Sequence, residues 1–213
     1  MKKWLLVLLL GLLSAGCSSV YYSAMEKVGI HKRDIMVDRV EEMRDSQQDT
    51  KEQFASALDR FKSVLSVDGG DLEDKYSQLN DELKRSEAQA EEVRERIAAV
   101  EDVSEALFDE WQGELALYNS ASLRRSSEQK LKQTRSHYSK LIGAMKRAEA
   151  KIDPVLNPMR DQVLFLKHNL NAQAIASLKS ELGSIEADVS RLIKEMEVSI
   201  KEADVFISAL QSN

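Results

Sequence analysis

Apolar residues recur along this chain at alternating spacings of three and four, and five runs can be traced. The first is Val40, Met43, Gln47, Thr50, Phe54, Ala57, Phe61 and Val64. The second is the longest: Leu72, Tyr76, Leu79, Leu83, Ser86, Ala90, Val93, Ile97, Val100, Ser104, Leu107, Trp111, Glu114 and Tyr118. A third runs from Leu131 through Thr134, Tyr138, Leu141, Met145 and Ala148 to Ile152. The fourth is Leu156, Met159, Val163, Leu166 and Leu170, and the last is Leu178, Leu182, Ile185, Val189, Leu192, Met196, Ser199, Ala203, Phe206 and Leu210. A spacing averaging 3.5 keeps one stripe of a helix turned to a partner, so each run predicts a helix with a coiled-coil seam. Gln47 and Thr50 put polar groups on the first seam, where they weaken it and help fix its register.

The interruptions between runs predict where the chain turns back. Asp68-Gly69-Gly70-Asp71 offers glycine past a helix end and an aspartate to cap the next helix. Around Asn119-Ser120-Ala121-Ser122 the seam loses phase, and residues of that type favour a break over a helix interior. Asp153 before Pro154 reads as the cap of a new helix, because proline suits a first turn and restricts the residue before it. A further slip falls at Asn169-Leu170-Asn171. Val20 to Gly29, with Tyr21, Tyr22 and Met25, reads more simply as a helix start than as a segment resting on a membrane. The expected fold is therefore all-α: an elongated antiparallel coiled-coil bundle of four or five long helices, forming a single domain over residues 30–213. A helix from residue 30 to 66 would be about 55 Å long.

Composition agrees with this picture. The chain has two prolines, eight glycines, 6% aromatic and 31% charged residues, a profile of long helices. Its pI near 5.3 argues against nucleic acid as a partner, which would call for a surplus of bases. The charge is unevenly spread. Residues 68–118 carry sixteen acids against five bases, and residues 120–152 carry nine bases against two acids. Opposite charges on consecutive elements predict that the stretch Leu123–Arg147 packs on the stretch Leu72–Tyr118 within one chain. Each exposed ion pair would add only about 0 to 1 kcal/mol, so pairing chooses the partner more than it stabilises the fold.

Lys2 and Lys3, an apolar stretch from Trp4 to Leu13, and Leu13-Ser14-Ala15-Gly16-Cys17 resemble a bacterial lipoprotein signal. The apolar stretch is about half the roughly 20 residues that span a bilayer. The resemblance implies that residues 1–16 are a removed signal peptide, that Cys17 becomes the first residue and carries lipid, and that residues 17–29 are a lipid-attached tether. Ser14 stands where such signals usually carry leucine. Ser18 and Ser19 after the cysteine favour the outer membrane over inner-membrane retention, so the expected place is its periplasmic face. Cleavage would leave 28 bases against 36 acids. With the only cysteine holding lipid, no intrachain disulfide can form.

A second resemblance rests on Phe108-Asp109-Glu110-Trp111, Leu123-Arg124-Arg125, Thr134-Arg135, Asp153-Pro154-Val155-Leu156 and Leu166-Lys167-His168-Asn169-Leu170-Asn171. These stretches resemble a domain-of-unknown-function family of helical bacterial proteins, many of which begin with a lipoprotein signal. The family has no established activity, so it implies no catalytic residues. Some members are labelled as related to DNA repair ATPases. This sequence has no Gly-x-x-x-x-Gly-Lys-Ser/Thr loop to cradle phosphates, which leaves coiled-coil similarity as the basis of such a label.

Candidate chemistry is sparse. His31, His137 and His168 fall in three different elements, and none has a second histidine at helical spacing, so no metal site is expected. His168 reads first as a polar residue satisfying backbone at a helix kink. Glu91-Glu92 and Asp109-Glu110 read as solvated pairs, and Ser126-Ser127 lacks a nucleophile elbow. Arg124, Arg125, Lys130, Lys132, Arg135, Lys140, Lys146 and Arg147 could meet a polyanion or a partner, with internal matching by the acidic stretch as the simpler reading. Trp111, with Phe108 and Tyr118, reads as core where helices cross, and Trp111 and His168 stand as secondary candidates for partner contact. The function expected is that of a non-enzymatic, lipid-anchored periplasmic scaffold, spacer or docking surface, with no catalytic residues and no cofactor. Its partners would be the membrane, through Cys17, and an envelope protein, with a homo-oligomer left open. The alternatives are an envelope enzyme acting on cell-wall or lipid material, and a polyanion-binding module built on residues 123–147.

Overall fold

The computed structural model describes residues 17–66, 72–169 and 172–212. Among these residues six α-helices follow one another: α1 (Cys17–Lys27), α2 (Lys32–Ser66), α3 (Leu72–Glu114), α4 (Ala121–Glu149), α5 (Ile152–His168) and α6 (Ala172–Gln211). A single 3-10 turn, Leu115–Leu117, follows α3, and no strand occurs among the described residues. The protein is an all-α bundle. At 1.5 Å per residue, the 35, 43 and 40 residues of α2, α3 and α6 make rods of about 50, 65 and 60 Å.

The seams form its core. Every residue of the first run, Val40 to Val64, is buried, Gln47 and Thr50 included. Leu79, Leu83, Ala90, Val93, Ile97, Val100 and Leu107 of α3 join the same cluster, as do Leu141, Met145, Ala148 and Ile152. Leu156, Met159, Val163 and Leu166 of α5 and Leu178 to Leu210 of α6 complete it, with Leu182 half-buried.

Ion pairs record the antiparallel order. Along α2 and α6, Lys62 meets Glu186 at 2.7 Å, Lys51 meets Glu197 at 3.8 Å and Arg44 meets Asp204 at 3.3 Å, one residue number rising as the other falls. In the same way Glu87, Arg94 and Glu101 of α3 meet Arg160 (2.6 Å), Asp153 (2.8 Å) and Lys146 (2.6 Å). Thus α4 and α5 together form one antiparallel partner for α3. The helix α6 packs on α2, α4 and α5.

Three boundaries differ from expectation. The spacing carried the second seam to Glu114 and Tyr118, but α3 ends at Glu114 and both side chains are exposed. Tyr118 is already extended (φ −71°, ψ 120°), and Ser120 caps α4, its hydroxyl accepting from the Leu123 amide at 3.4 Å. The break at 119–122 is therefore present. Asp153 is not a cap: α5 starts at Ile152 after Lys151, which leaves Asp153 and Pro154 in the first turn, and Asp153 pairs with Arg94. At the other end of α5, the Asn169 side-chain amide donates to the Phe165 carbonyl at 3.0 Å and meets the orphan carbonyls of the last turn. The signal segment 1–16, the Asp68–Asp71 break and Leu170-Asn171 lie outside the described residues.

At the N-terminal side, Gly29 adopts φ +86°, a left-handed conformation open to glycine at little cost, and so turns α1 back on α2. Tyr22 of α1 is only 4% exposed and belongs to the main core cluster. Residues 17–29, expected as a tether, thus contain a helix docked on the bundle.

Candidate functional site

At one end of the bundle the long seam gives way to a smaller one. Phe108, Leu115 and Leu131 form a second cluster, with Trp111 and Tyr138 packed against it. The ring of Tyr138 stands edge-on to Phe108 at 5.4 Å between centroids and tilted to Phe206 at 6.4 Å, which links the small cluster to the large one. Trp111 Nε1 donates to Ser127 Oγ at 2.8 Å and ties α3 to α4 across the turn. Arg135 lies over the Phe108 ring, 5.1 Å from its centroid, and donates to the Phe108 carbonyl at 3.3 Å. That placement satisfies the guanidinium through a cation–π contact and a backbone acceptor in place of an acid.

Beyond this cluster the turn and the first turns of α4 project with little cover. From Ala121 to Lys130 only Ser127 is even half-buried. Leu117 is 76% exposed, Leu123 59% and Tyr118 42%. The expected aromatic group therefore divides: Phe108 and Trp111 serve the core, and Tyr118 faces solvent. Arg124, Arg125, Lys130 and Lys132 are exposed on the same projection, and among the described residues none of them makes an ion pair. Internal charge matching thus reaches only the far end of the basic stretch. There Lys146 meets Glu101 at 2.6 Å and Arg147 approaches Glu195 of α6 at 3.7 Å. The helices do pack as expected; their charges are out of step at the tip.

Other candidates are scattered. His31 and His168 are exposed, at the start of α2 and the end of α5. His137 lines a cavity of about 50 Å³ with Thr134, Phe206 and Leu210. Among the described residues no three His, Cys, Asp or Glu side chains are placed to share a metal ion. Glu91 and Glu92 lie along an open groove on α3, where they pair with Arg94 (3.4 Å) and Arg96 (3.5 Å).

One constellation gave no signal in the sequence pattern. Lys32 at the start of α2 bridges Glu26 of α1 and Glu110 of α3, the latter at 3.0 Å. Burial pushes the Glu110 carboxyl up, while the Lys32 hydrogen bond pulls the Glu26 carboxyl down. The arrangement clasps three helices with one ammonium.

The main core cluster runs from Tyr22 to Leu210. A family model described as a protein of unknown function, DUF2959, matches residues 21–210, the same span. This chain belongs to the DUF2959 family. The DUF2959 match begins next to Tyr22, so residues 21–27 of α1 fall within it. It also takes in the α3–α4 tip with its unpaired bases. No curated protein matches the chain.

Proposed function

We propose that this protein is a non-enzymatic, lipid-anchored envelope protein whose helical rod serves as a scaffold or spacer and offers the α3–α4 tip as a docking surface. The observation that carries the reading is how the side chains are used: the seams of five helices meet in one core, and the α3–α4 tip is left projecting, with Leu117, Tyr118 and Leu123 exposed beside bases that make no ion pair. Seams that close on one another spend the apolar residues that would otherwise line a substrate pocket. The anchor rests on the lipoprotein-like stretch from Lys2 to Ser19, with Cys17 as the lipid-bearing residue and the periplasmic face of the outer membrane as its place. Since α1 starts at Cys17 and Tyr22 docks in the core, lipid on Cys17 would hold the bundle close to the bilayer.

Two measurements test the reading. Mass spectrometry of the purified protein's N-terminus should find a lipid-modified Cys17, and a retained signal with a free thiol refutes the anchor. Crosslinking in intact envelopes followed by pull-down should recover a specific envelope protein. A hydrolase activity lost in a His168→Ala variant, with no partner recovered, would overturn the non-enzymatic role.

A further inference from the structure

We infer that the α3–α4 tip is a membrane-surface contact, in which Leu117, Tyr118 and Leu123 enter the headgroup boundary while Arg124, Arg125, Lys130 and Lys132 meet anionic lipid. The inference deepens the docking half of the proposed function and needs no lipid on Cys17.

Three observations combine. The four cations make no ion pair among the described residues and share their stretch of α4 with one acid, Glu128, although the chain as a whole carries six more acids than bases. In a chain so rich in carboxylates, four bases against one acid over residues 124–132 form a local field of the opposite sign, and that field would turn this end towards a negative surface. The apolar neighbours then narrow the choice of surface. A nucleic acid or an anionic glycan would reward the cations but not two leucines 76% and 59% exposed, whereas a bilayer rewards both, with tyrosine suited to its interface. Finally, the tip is held rigidly enough to present these groups together, through Trp111 on Ser127 and Arg135 on Phe108.

Tyr22 meets Asp102 and Lys32 meets Glu110, so the N-terminal helix lies along the half of α3 that runs out into the tip. Its later residues are the ones nearest the tip, with Glu26 beside Glu110 and Tyr22 beside Asp102, so Cys17 lies farther back along α3 and the tip is a contact distinct from the N-terminus.

The test uses residues 17–213, without the apolar segment 1–16, with Cys17→Ser and Ala121→Cys, the new thiol carrying a polarity-sensitive dye, and vesicles with a lipid-borne quencher. Vesicles of phosphatidylcholine alone are compared with vesicles containing added phosphatidylglycerol. The dye should be quenched on the anionic vesicles, weakly or not at all on the neutral ones, and less as salt rises. Replacing Arg124, Arg125, Lys130 and Lys132 by Gln should weaken the anionic-vesicle affinity at least roughly tenfold. All four are exposed, so an unchanged helical circular dichroism spectrum is expected of that variant. Equal quenching on both vesicle types, none on either, or an affinity untouched by the four Gln replacements would overturn the inference. So would dye shielding that grows with protein concentration in the absence of vesicles, which would make the tip a contact between copies. None of these results bears on whether Cys17 is acylated, which the N-terminal mass decides.

Discussion

The phenol of Tyr22 donates to Oδ2 of Asp102 at 2.6 Å, joining two residues eighty positions apart and fixing α1 against α3. Burial, and then this hydrogen bond, pushes the phenol above its ordinary value of 10.0. Folding therefore favours the protonated form, and the contribution fades as pH rises beyond that ordinary value. Tyr22→Phe should cost about 1 kcal/mol, the lost hydrogen bond. Tyr22→Ala should cost about 3 to 5 kcal/mol, since the ring is removed from a packed core. Urea midpoints measure both. Limited proteolysis near Val28 should become faster in the alanine variant as α1 lifts away.

Gly29→Ala should destabilise the α1–α2 turn by about 1 kcal/mol or more, although nothing lies within 4 Å of the position its Cβ would take. The cost arises from φ +86° alone, so Gly29→Asn, which tolerates that region better, should lose less. Thermal unfolding of the three proteins in parallel gives the ranking. Equal midpoints would disprove the backbone argument.

Glu82 supplies an acid-dependent part of the stability. Burial works to raise its carboxyl, but the ion pair with Arg85 at 2.6 Å and the Gln53 amide at 3.0 Å outweigh it and hold the carboxyl below the usual 4.5. A lowered folded value means stability present above the unfolded value and lost as pH falls through the folded one. Glu82→Gln should therefore be clearly less stable than the parent at pH 7, with the gap closing below about pH 4. A gap independent of pH would assign the effect to packing.

Gln47 and Thr50 both sit on the first seam, and the structure separates them. Thr50 donates to the Ser46 carbonyl at 2.7 Å, whereas Gln47 Nε2 is buried with no partner. Gln47→Leu should raise stability by about 1 to 2 kcal/mol, because an unsatisfied buried amide is replaced by an apolar side chain of similar size. If Gln47 also fixes register, the leucine variant should show more than one oligomeric or pairing state by analytical ultracentrifugation.

What could be read from the sequence was the period; what could not was the stagger. Met43, Phe54, Ile97, Leu141 and Phe206 announce their burial through a 3.5 repeat that needs no knowledge of partners. The repeat misleads at Tyr118, because spacing persists for a few residues after the backbone has left the helix. The Leu123–Arg147 pairing was right in kind and wrong in reach. Which charges face each other depends on where the hairpin turns, and with Trp111 fixed on Ser127, Lys146 reaches Glu101 while Arg124 and Arg125, level with the last turn of α3, make no ion pair. Tyr22–Asp102 and the Lys32–Glu110 arm of the clasp join residues 80 and 78 positions apart, across which local patterns carry no information.

The ladder between α2 and α6 has a bearing on how the molecule comes to be made. Lys62 waits 124 positions for Glu186, and Arg44 waits 160 for Asp204. A ribosome therefore releases α2 with part of its apolar stripe uncovered, and that stripe stays open until nearly the last residue has emerged. For a chain delivered amino end first, the half-built bundle is the natural client of a holding chaperone, and loss of the final helix would leave an early one without its cover.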